Sequence, residues 1–195
     1  MSTVTTTVTT GITTWKLDPA HSVAEFKVRH MMIANVKGQF TAITGAMTLD
    51  PNDVTRSRIE ASADAASIDT RDAQRDGHLK SPDFFDVEKY PSLTFASTRV
   101  EREDEGQLKV IGDLTIHGTT REVTFDVDGP TPPQKDPWGN VRIGVSAVAK
   151  INRKDFGLHW NAPLEAGGLL VGEEVTITLE LEFVQAQASP RKEIR

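Results

Sequence analysis

The chain has 195 residues, 37% hydrophobic and 26% charged, which is the composition of one globular domain with a real core rather than of a disordered or membrane-embedded chain. Its 28 acidic and 22 basic residues give a formal net charge of −6 with no basic stripe, which argues against a nucleic-acid partner. It has no cysteine, so disulfides, Cys-ligated zinc, iron–sulfur clusters and thiol nucleophiles are excluded together.

Met1 to Thr14 reads MSTVTTTVTTGITT, without Lys, Arg or a continuous apolar run, so no secretory signal is expected in it. Nowhere does an apolar stretch reach the roughly 18 residues of a transmembrane helix. On this ground a cytoplasmic protein is expected. Residues 1–13 and 186–195 lack a strand pattern and are expected to be loose tails around a barrel domain over 14–185.

Alternation with period 2 dominates the rest. Ala24, Phe26, Val28 and His30 share one face, and Val23, Glu25, Lys27 and Arg29 the other. Gly38 to Leu49 alternates less cleanly. Ile59, Ala61, Ala63 and Ala65 then alternate with Glu60, Ser62 and Asp64. Thr70 to Asp86 breaks the rhythm: it is charged and helix-compatible, with Thr70 able to cap a first turn and Gly77 and Pro82 limiting its length. One short helix is predicted there, with a second turn over Pro82 to Asp86. Ser92 to Glu103 is a weaker strand, followed by clear ones at Leu108 to Ile116, Val123 to Val127, Val141 to Ile151 and Val175 to Phe183.

Asp50-Pro51-Asn52-Asp53, Glu105-Gly106, His117-Gly118 and Trp138-Gly139-Asn140 supply turns between them. The pattern therefore predicts an all-β domain of about eight strands, with the short helix between strands 3 and 4. Several runs exceed the usual strand of about 5 to 6 residues. Long two-faced strands joined by short turns favour an up-and-down antiparallel barrel over a sandwich. Small residues on the inner faces (Ala61, Ala63, Ala65, Gly112, Ala147 and Ala149) leave room inside.

The residues with chemistry are few. The five histidines, His21, His30, His78, His117 and His159, show no metal-ligand spacing, so no metal is expected. His30 shares a face with Phe26 and Val28; it is either a hydrogen-bonded core histidine or a polar contact for a ligand's head. There is no G-x-S-x-G elbow and no phosphate-binding glycine loop. Gly167-Gly168-Leu169-Leu170-Val171-Gly172 precedes a strand and is explained as a loop. Catalytic residues and a cofactor are therefore not expected. Phe84, Phe85, Phe156 and Trp160 lie outside strands, as aromatics over a barrel mouth would, or as a satellite core would.

These words also carry a resemblance. Trp15-x-Leu17-Asp18-Pro19-x-His21-Ser22 is followed by Phe26-x-Val28-x-His30-Met31, Gly38-x-Phe40, Ser67-Ile68-Asp69-Thr70 and Arg75-Asp76-x-His78-Leu79. The densest block is Phe84-Phe85-Asp86-Val87-x-Lys89-Tyr90-Pro91-x-Leu93-Thr94-Phe95. Gly112 to Gly118 and Ile151-Asn152-Arg153-x-Asp155-Phe156-Gly157 complete the set, which resembles the YceI-like, polyisoprenoid-binding family from Trp15 to Phe183. The resemblance implies an eight-stranded antiparallel lipocalin-like barrel with a helix beside it, commonly a homodimer, holding a long isoprenoid or acyl-chain amphiphile in an apolar tunnel. Better-known members carry an export signal and none is expected from these residues, so periplasmic carriage is not the expectation.

Strand geometry supports such a guest: about 11 residues per strand at 3.3 Å rise and a tilt near 40° give a barrel about 28 Å deep. Phe26, Val28, Phe40 and Phe95 are expected to line the tunnel, and Phe84, Phe85 and Phe156 to frame its mouth. Arg75, His78, Asn152 and Arg153, with His30, are candidates for the polar head, Arg being suited to phosphate or carboxylate. Alternatively each arginine pairs with Asp76 or Asp155 and pins a loop. Two other functions stay open: an enzyme on such a substrate with His30 or His78 as general base, and an interaction module whose barrel is filled by its own side chains.

Overall fold

Alternating apolar and polar residues make strands with one face to bury, and a sheet of such strands satisfies its edges by closing on itself. The computed structural model describes residues 11–103 and 106–186, and in it the predicted closure is present. In chain order the elements are β1 (Thr13–Leu17), β2 (Val23–His30), β3 (Ala34–Phe40), β4 (Ile43–Leu49), β5 (Arg58–Asp64), β6 (Ile68–Asp69), α1 (Ala73–Lys80), β7 (Ser92–Arg102), β8 (Leu108–Ile116), β9 (Thr119–Asp128), β10 (Gln134–Lys135), β11 (Val141–Asn152) and β12 (Val171–Gln185). Most of the expected loose tails lie outside the described residues, although Thr13 already pairs with Leu49.

The barrel has eight staves. Three of them are broken strands: β1 continues as β2, β3 as β4, and β5 as β6. The others are β7, β8, β9, β11 and β12. Each stave runs antiparallel to its predecessor. The ring closes where β12 pairs with β2 from His30 to Val23 and then with β1 from Leu17 to Trp15. The expected order, with α1 between the third and fourth staves, is the observed one.

The breaks have local causes. Asp18 accepts the Ala20 amide at 3.0 Å and starts a 3-10 turn over Pro19–His21. Asp64 accepts the Ala66 amide at 2.9 Å and starts another over Ala65–Ser67, whose Ser67 hydroxyl receives the Ala42 amide at 3.1 Å at the neighbouring break. Each break shifts the alternation by one residue. Leu17 and Ala24 both face the interior, as do Phe40 and Ile43, at odd spacings that an unbroken strand forbids.

The helix cap differs from the sequence expectation. Asp72, not Thr70, accepts the Gln74 and Arg75 amides, at 3.1 and 3.0 Å. The Thr70 hydroxyl instead donates to the Asp76 carboxylate at 2.5 Å and accepts from Arg75 Nε at 2.7 Å, which pins α1 to the end of β6. After the helix, the Phe85 amide returns to the Leu79 carbonyl at 2.9 Å, so the turns over 82–85 fold back on α1. His117 and Gly118, with φ of 51° and 71°, form the two-residue hairpin between β8 and β9.

Two buried clusters hold the wall. One joins Val110, Leu114, Phe125, Ala149 and Phe156, and the other Trp15, Leu17, Ile43, Met47 and Phe183. No helix among the described residues is long and apolar enough to cross a membrane.

Candidate ligand-binding cavity

The inner faces do not fill the barrel. Two adjoining cavities remain, an outer one of about 470 Å³ at the α1 end and an inner one of about 200 Å³ deeper in. Phe26, Phe40, Leu93, Ile116 and Ile177 belong to the walls of both. The ring centroids of Phe26 and Phe40 are 5.9 Å apart, and Phe85 meets Phe40 edge-on at 5.8 Å. These three rings form an aromatic constriction at the junction.

The inner chamber is apolar almost throughout, with Met47, Ile59, Ala61, Ala147 and Leu179 in its wall. The small residues singled out in the sequence explain its volume in part. Ala61, Ala63 and Ala147 border the space. Ala65 and Ala149 are packed into the wall. Gly112 leaves no space of its own, because a Cβ there would meet the Phe95 ring at 2.6 Å and the Ala96 carbonyl at 2.4 Å.

The outer chamber has a polar side. Gln74, Arg75, His78 and Leu79 present one face of α1 to it, and Thr70, Asp72, His30 and Arg153 add to the wall. His78 Nε2 lies 2.9 Å from Asp83 Oδ2, and its ring stands edge-on to Phe84 at 5.2 Å and Trp160 at 4.6 Å. Arg75 also donates through Nη2 to the Thr70 carbonyl at 2.8 Å, and its Nη1 has the Asp72 carboxylate at 3.9 Å. The helix amides hold the Asp72 carboxyl below its ordinary pKa.

Arg153 is 3% exposed, and its guanidinium is bonded to main chain. It donates to the carbonyls of Leu158 at 2.6 Å, Gly172 at 2.8 Å and Trp160 at 2.9 Å, with Val171 at 3.4 Å. Burial pulls its pKa below the usual guanidinium value, with the attraction of Glu173 opposing. It is a buried cation tying the loop after β11 to the start of β12, so it pins a loop as the alternative reading had it, through these carbonyls and not through Asp155.

The expected residues therefore divide. Phe26, Val28, His30, Phe40, Arg75, His78, Phe84, Phe85 and Arg153 meet at the outer chamber, and Phe95 lines the inner one, stacked edge-on against Phe125 at 5.2 Å. Two expectations are corrected. Phe156 does not frame the mouth; it is 1% exposed and packs in the wall cluster with Phe125 and Leu158. Asn152 does not reach the chamber, because its side chain accepts the Lys154 amide at 2.9 Å and caps the 3-10 turn Arg153–Phe156.

Among the described residues, one carboxylate–histidine cluster elsewhere has metal-like spacing: Asp18, His21 and Glu182. A cation already occupies that charge. Arg142 donates to Asp18 at 2.7 Å, to Asp136 at 2.7 Å and to Glu182. Its hydrogen bond, with that of His21, holds the Asp18 carboxyl at about 2.

The YceI-like domain model matches residues 15–183. The chain belongs to the YceI-like family. A UPF0312 protein of Staphylococcus aureus strain MSSA476 is 37% identical over 172 residues, covering 88% of this chain and 98% of that one. Among solved structures, Campylobacter jejuni YCEI protein superposes with a TM-score of 0.66 at 28% identity, covering 83% of this chain and 91% of that chain. Burkholderia cenocepacia BcnA gives 0.72 at 23% identity over 85% and 98% of the two chains. A polyisoprenoid binding domain from Saccharophagus degradans, implicated in plant cell wall breakdown, gives 0.63 at 15% identity over 88% and 98%. The last two share the fold.

Within this YceI-like barrel the motif words acquire physical causes. Gly38-x-Phe40 provides the aromatic constriction, and Thr70 with Arg75-Asp76 provides the helix pin. Trp160, expected only as one of the aromatics over a mouth or in a satellite core, lines the outer chamber, and so do Gln74 and Leu79, which are not among the expected site residues. Their signals were present: an aromatic outside any strand, and i, i+4 neighbours of His78 and Arg75 on one helix face.

Proposed function

We propose that the barrel holds one long-chain apolar amphiphile, an isoprenoid, quinone or acyl-chain lipid, with its tail inward, for carriage, storage or sequestration. The supporting observation is the change of wall along the axis: an apolar inner chamber, an aromatic constriction, then an outer chamber with Arg75, His78 and the buried Arg153 in its wall. Cavities of this kind are typical of small-molecule sites. Each buried methylene contributes about 0.8 kcal/mol, so the tail supplies affinity and the polar wall orients the head. The cationic side chains favour a head that accepts hydrogen bonds or carries negative charge. A barrel packed solid with its own side chains does not fit these volumes.

The test is mass spectrometry of an organic extract of the natively purified protein, with a denatured control for contaminants. A stoichiometric long-chain molecule is expected. Its displacement should follow tail length in titrations with a fluorescent fatty acid, and Phe26→Trp or Phe95→Trp should weaken binding in a protein that still folds. An empty extract together with unchanged affinity in both variants would overturn the proposal. The His78–Asp83 contact also suits a general base; turnover of a bound lipid that is lost in His78→Ala would favour an enzyme instead.

A further inference from the structure

We infer that Met31, Met32, Ile33 and Leu169 form an apolar lip by which the protein touches a lipid bilayer beside the cavity entrance. The three residues joining β2 to β3 are 40%, 63% and 76% exposed, and Leu169 is 41% exposed. The Met31 amide donates to the Leu170 carbonyl at 2.8 Å, so the two loops lie side by side. Among the described residues, half of the exposed large apolar side chains are in this patch, while Ile12, Val23, Trp138 and Val148 are distributed elsewhere. Clustered apolar exposure marks a contact surface where scattered exposure does not.

The backbone adds a second observation. Met31 and Met32 have φ of 51° and 60°, a left-handed conformation that suits Gly or Asn and strains an ordinary side chain. At the two-residue β8–β9 turn the chain places His117 and then Gly118 in this conformation, so glycine takes the second position that Met32 fills here. Folding alone would be served better by glycine or asparagine. Two methionines there hold flexible, polarisable apolar groups outward.

Continuity with the cavity identifies the occupant, and this step rests on the lipid-binding proposal. His30 and Leu170, the chain neighbours of Met31 and Leu169, line the outer chamber. A guest whose tail is insoluble must leave and re-enter a lipid phase, and the lip is where that phase would meet the entrance. A net charge of −6 gives no electrostatic draw to anionic lipid. The contact is therefore apolar, shallow and reversible, and a neutral bilayer suffices.

The experiment compares the full chain with Met32→Ser/Ile33→Ser and, separately, Leu169→Ser, all exposed positions where folding is checked by thermal unfolding. Flotation with neutral phosphatidylcholine vesicles is expected for the parent at low and high salt, and about tenfold less for the double variant. Transfer of a pyrene-labelled fatty acid from those vesicles should slow by a similar factor. Binding of the same probe added from ethanol should be unchanged, which isolates the cavity from the lip. Absence of parent flotation, or flotation and transfer rates equal to the parent in both variants, overturns the inference. So does a parent dimer that the double variant converts to monomers, since the patch would then cover a second copy. Flotation without any probe binding would overturn the cavity proposal while supporting the lip.

Discussion

The phenyl ring of Phe26 lies over Gly38, its register partner across the β2–β3 pair. A Cβ at Gly38 would come within 2.4 Å of Phe26 Cζ and 2.8 Å of Thr70 Cγ2, so the absent side chain is what lets the ring lie across the junction of the two chambers. Gly38→Ala should therefore rotate Phe26 and cost about 1–3 kcal/mol of stability, as overpacking does. Gly112→Ala should cost more, because one of its obstacles is the Ala96 carbonyl at 2.4 Å, which cannot swing aside. Urea unfolding of both variants checks the order, and equal losses would refute the assignment of a yielding ring at one site and a rigid backbone at the other.

Arg153 makes a different kind of demand. Its buried guanidinium serves four main-chain carbonyls, and removing the donors leaves those acceptors unpaired. Arg153→Met should lower stability by about 3 kcal/mol or more, with Arg153→Lys intermediate because an ammonium cannot reproduce the fork. A denaturation midpoint close to that of the parent would show that the loop after β11 holds without it.

The acid limb of the stability curve should depend on Arg142. That residue, then His21, holds Asp18 at about 2 against an ordinary 3.8, and Arg142 also keeps Asp136 below its usual range. A depressed carboxylate pKa means stability that is fully present above the unfolded value and lost as pH falls through the folded one. For Asp18 this window runs from about 4 down to about 2. Arg142→Met should be less stable at neutral pH, where three carboxylates lose their cation, and its stability should fall less steeply through the window. Parallel curves for variant and parent would sink the idea.

Filling the inner chamber tests its use. Ala61 borders that space and pairs with Phe95 across β5 and β7. Ala61→Leu should keep the ends of long tails out and leave short ones unaffected. Excluding two or three methylenes at about 0.8 kcal/mol each lowers affinity by roughly ten- to fiftyfold. A chain-length series of fatty acids measures this, and equal weakening for short and long tails would point to a general distortion of the barrel.

How far the sequence carried follows from where alternation is unbroken. In β8, β9, β11 and β12 the period-2 faces run without interruption for most of their length, and they read directly as staves. The stretch Gly38 to Leu49 alternates poorly because Thr41 and Ala42 interrupt it, so that Phe40 and Ile43 both turn inward. In β7 a bulge between Ser97 and Arg99 does the same to Phe95 and Val100. The site was partly legible for a related reason. Phe26 and Val28 could be assigned from strand phase, and the same phase turns Asn152, the last residue of β11, away from the chamber that Ile151 lines, whereas Phe156 sits in a 3-10 turn, where no period says which way a side chain points. Arg153 was expected to meet a ligand's head or to pin a loop, but the carbonyls that hold it come from residues 158–172, a separation that composition cannot reveal.

The closing pair of the barrel joins opposite ends of the chain. Trp15 is in register with Gln185, and the Glu182 amide donates to the Ser22 hydroxyl across 160 positions of sequence. Contacts so distant in sequence carry a loop-closure penalty and slow folding. The cavity therefore exists only once the two ends of the chain have met. Without β12, which pairs with β11 on one side and with β1 and β2 on the other, the sheet cannot close and its apolar inner face has no cover. A truncation that removes β12 should therefore yield an aggregating sheet rather than a leaky container.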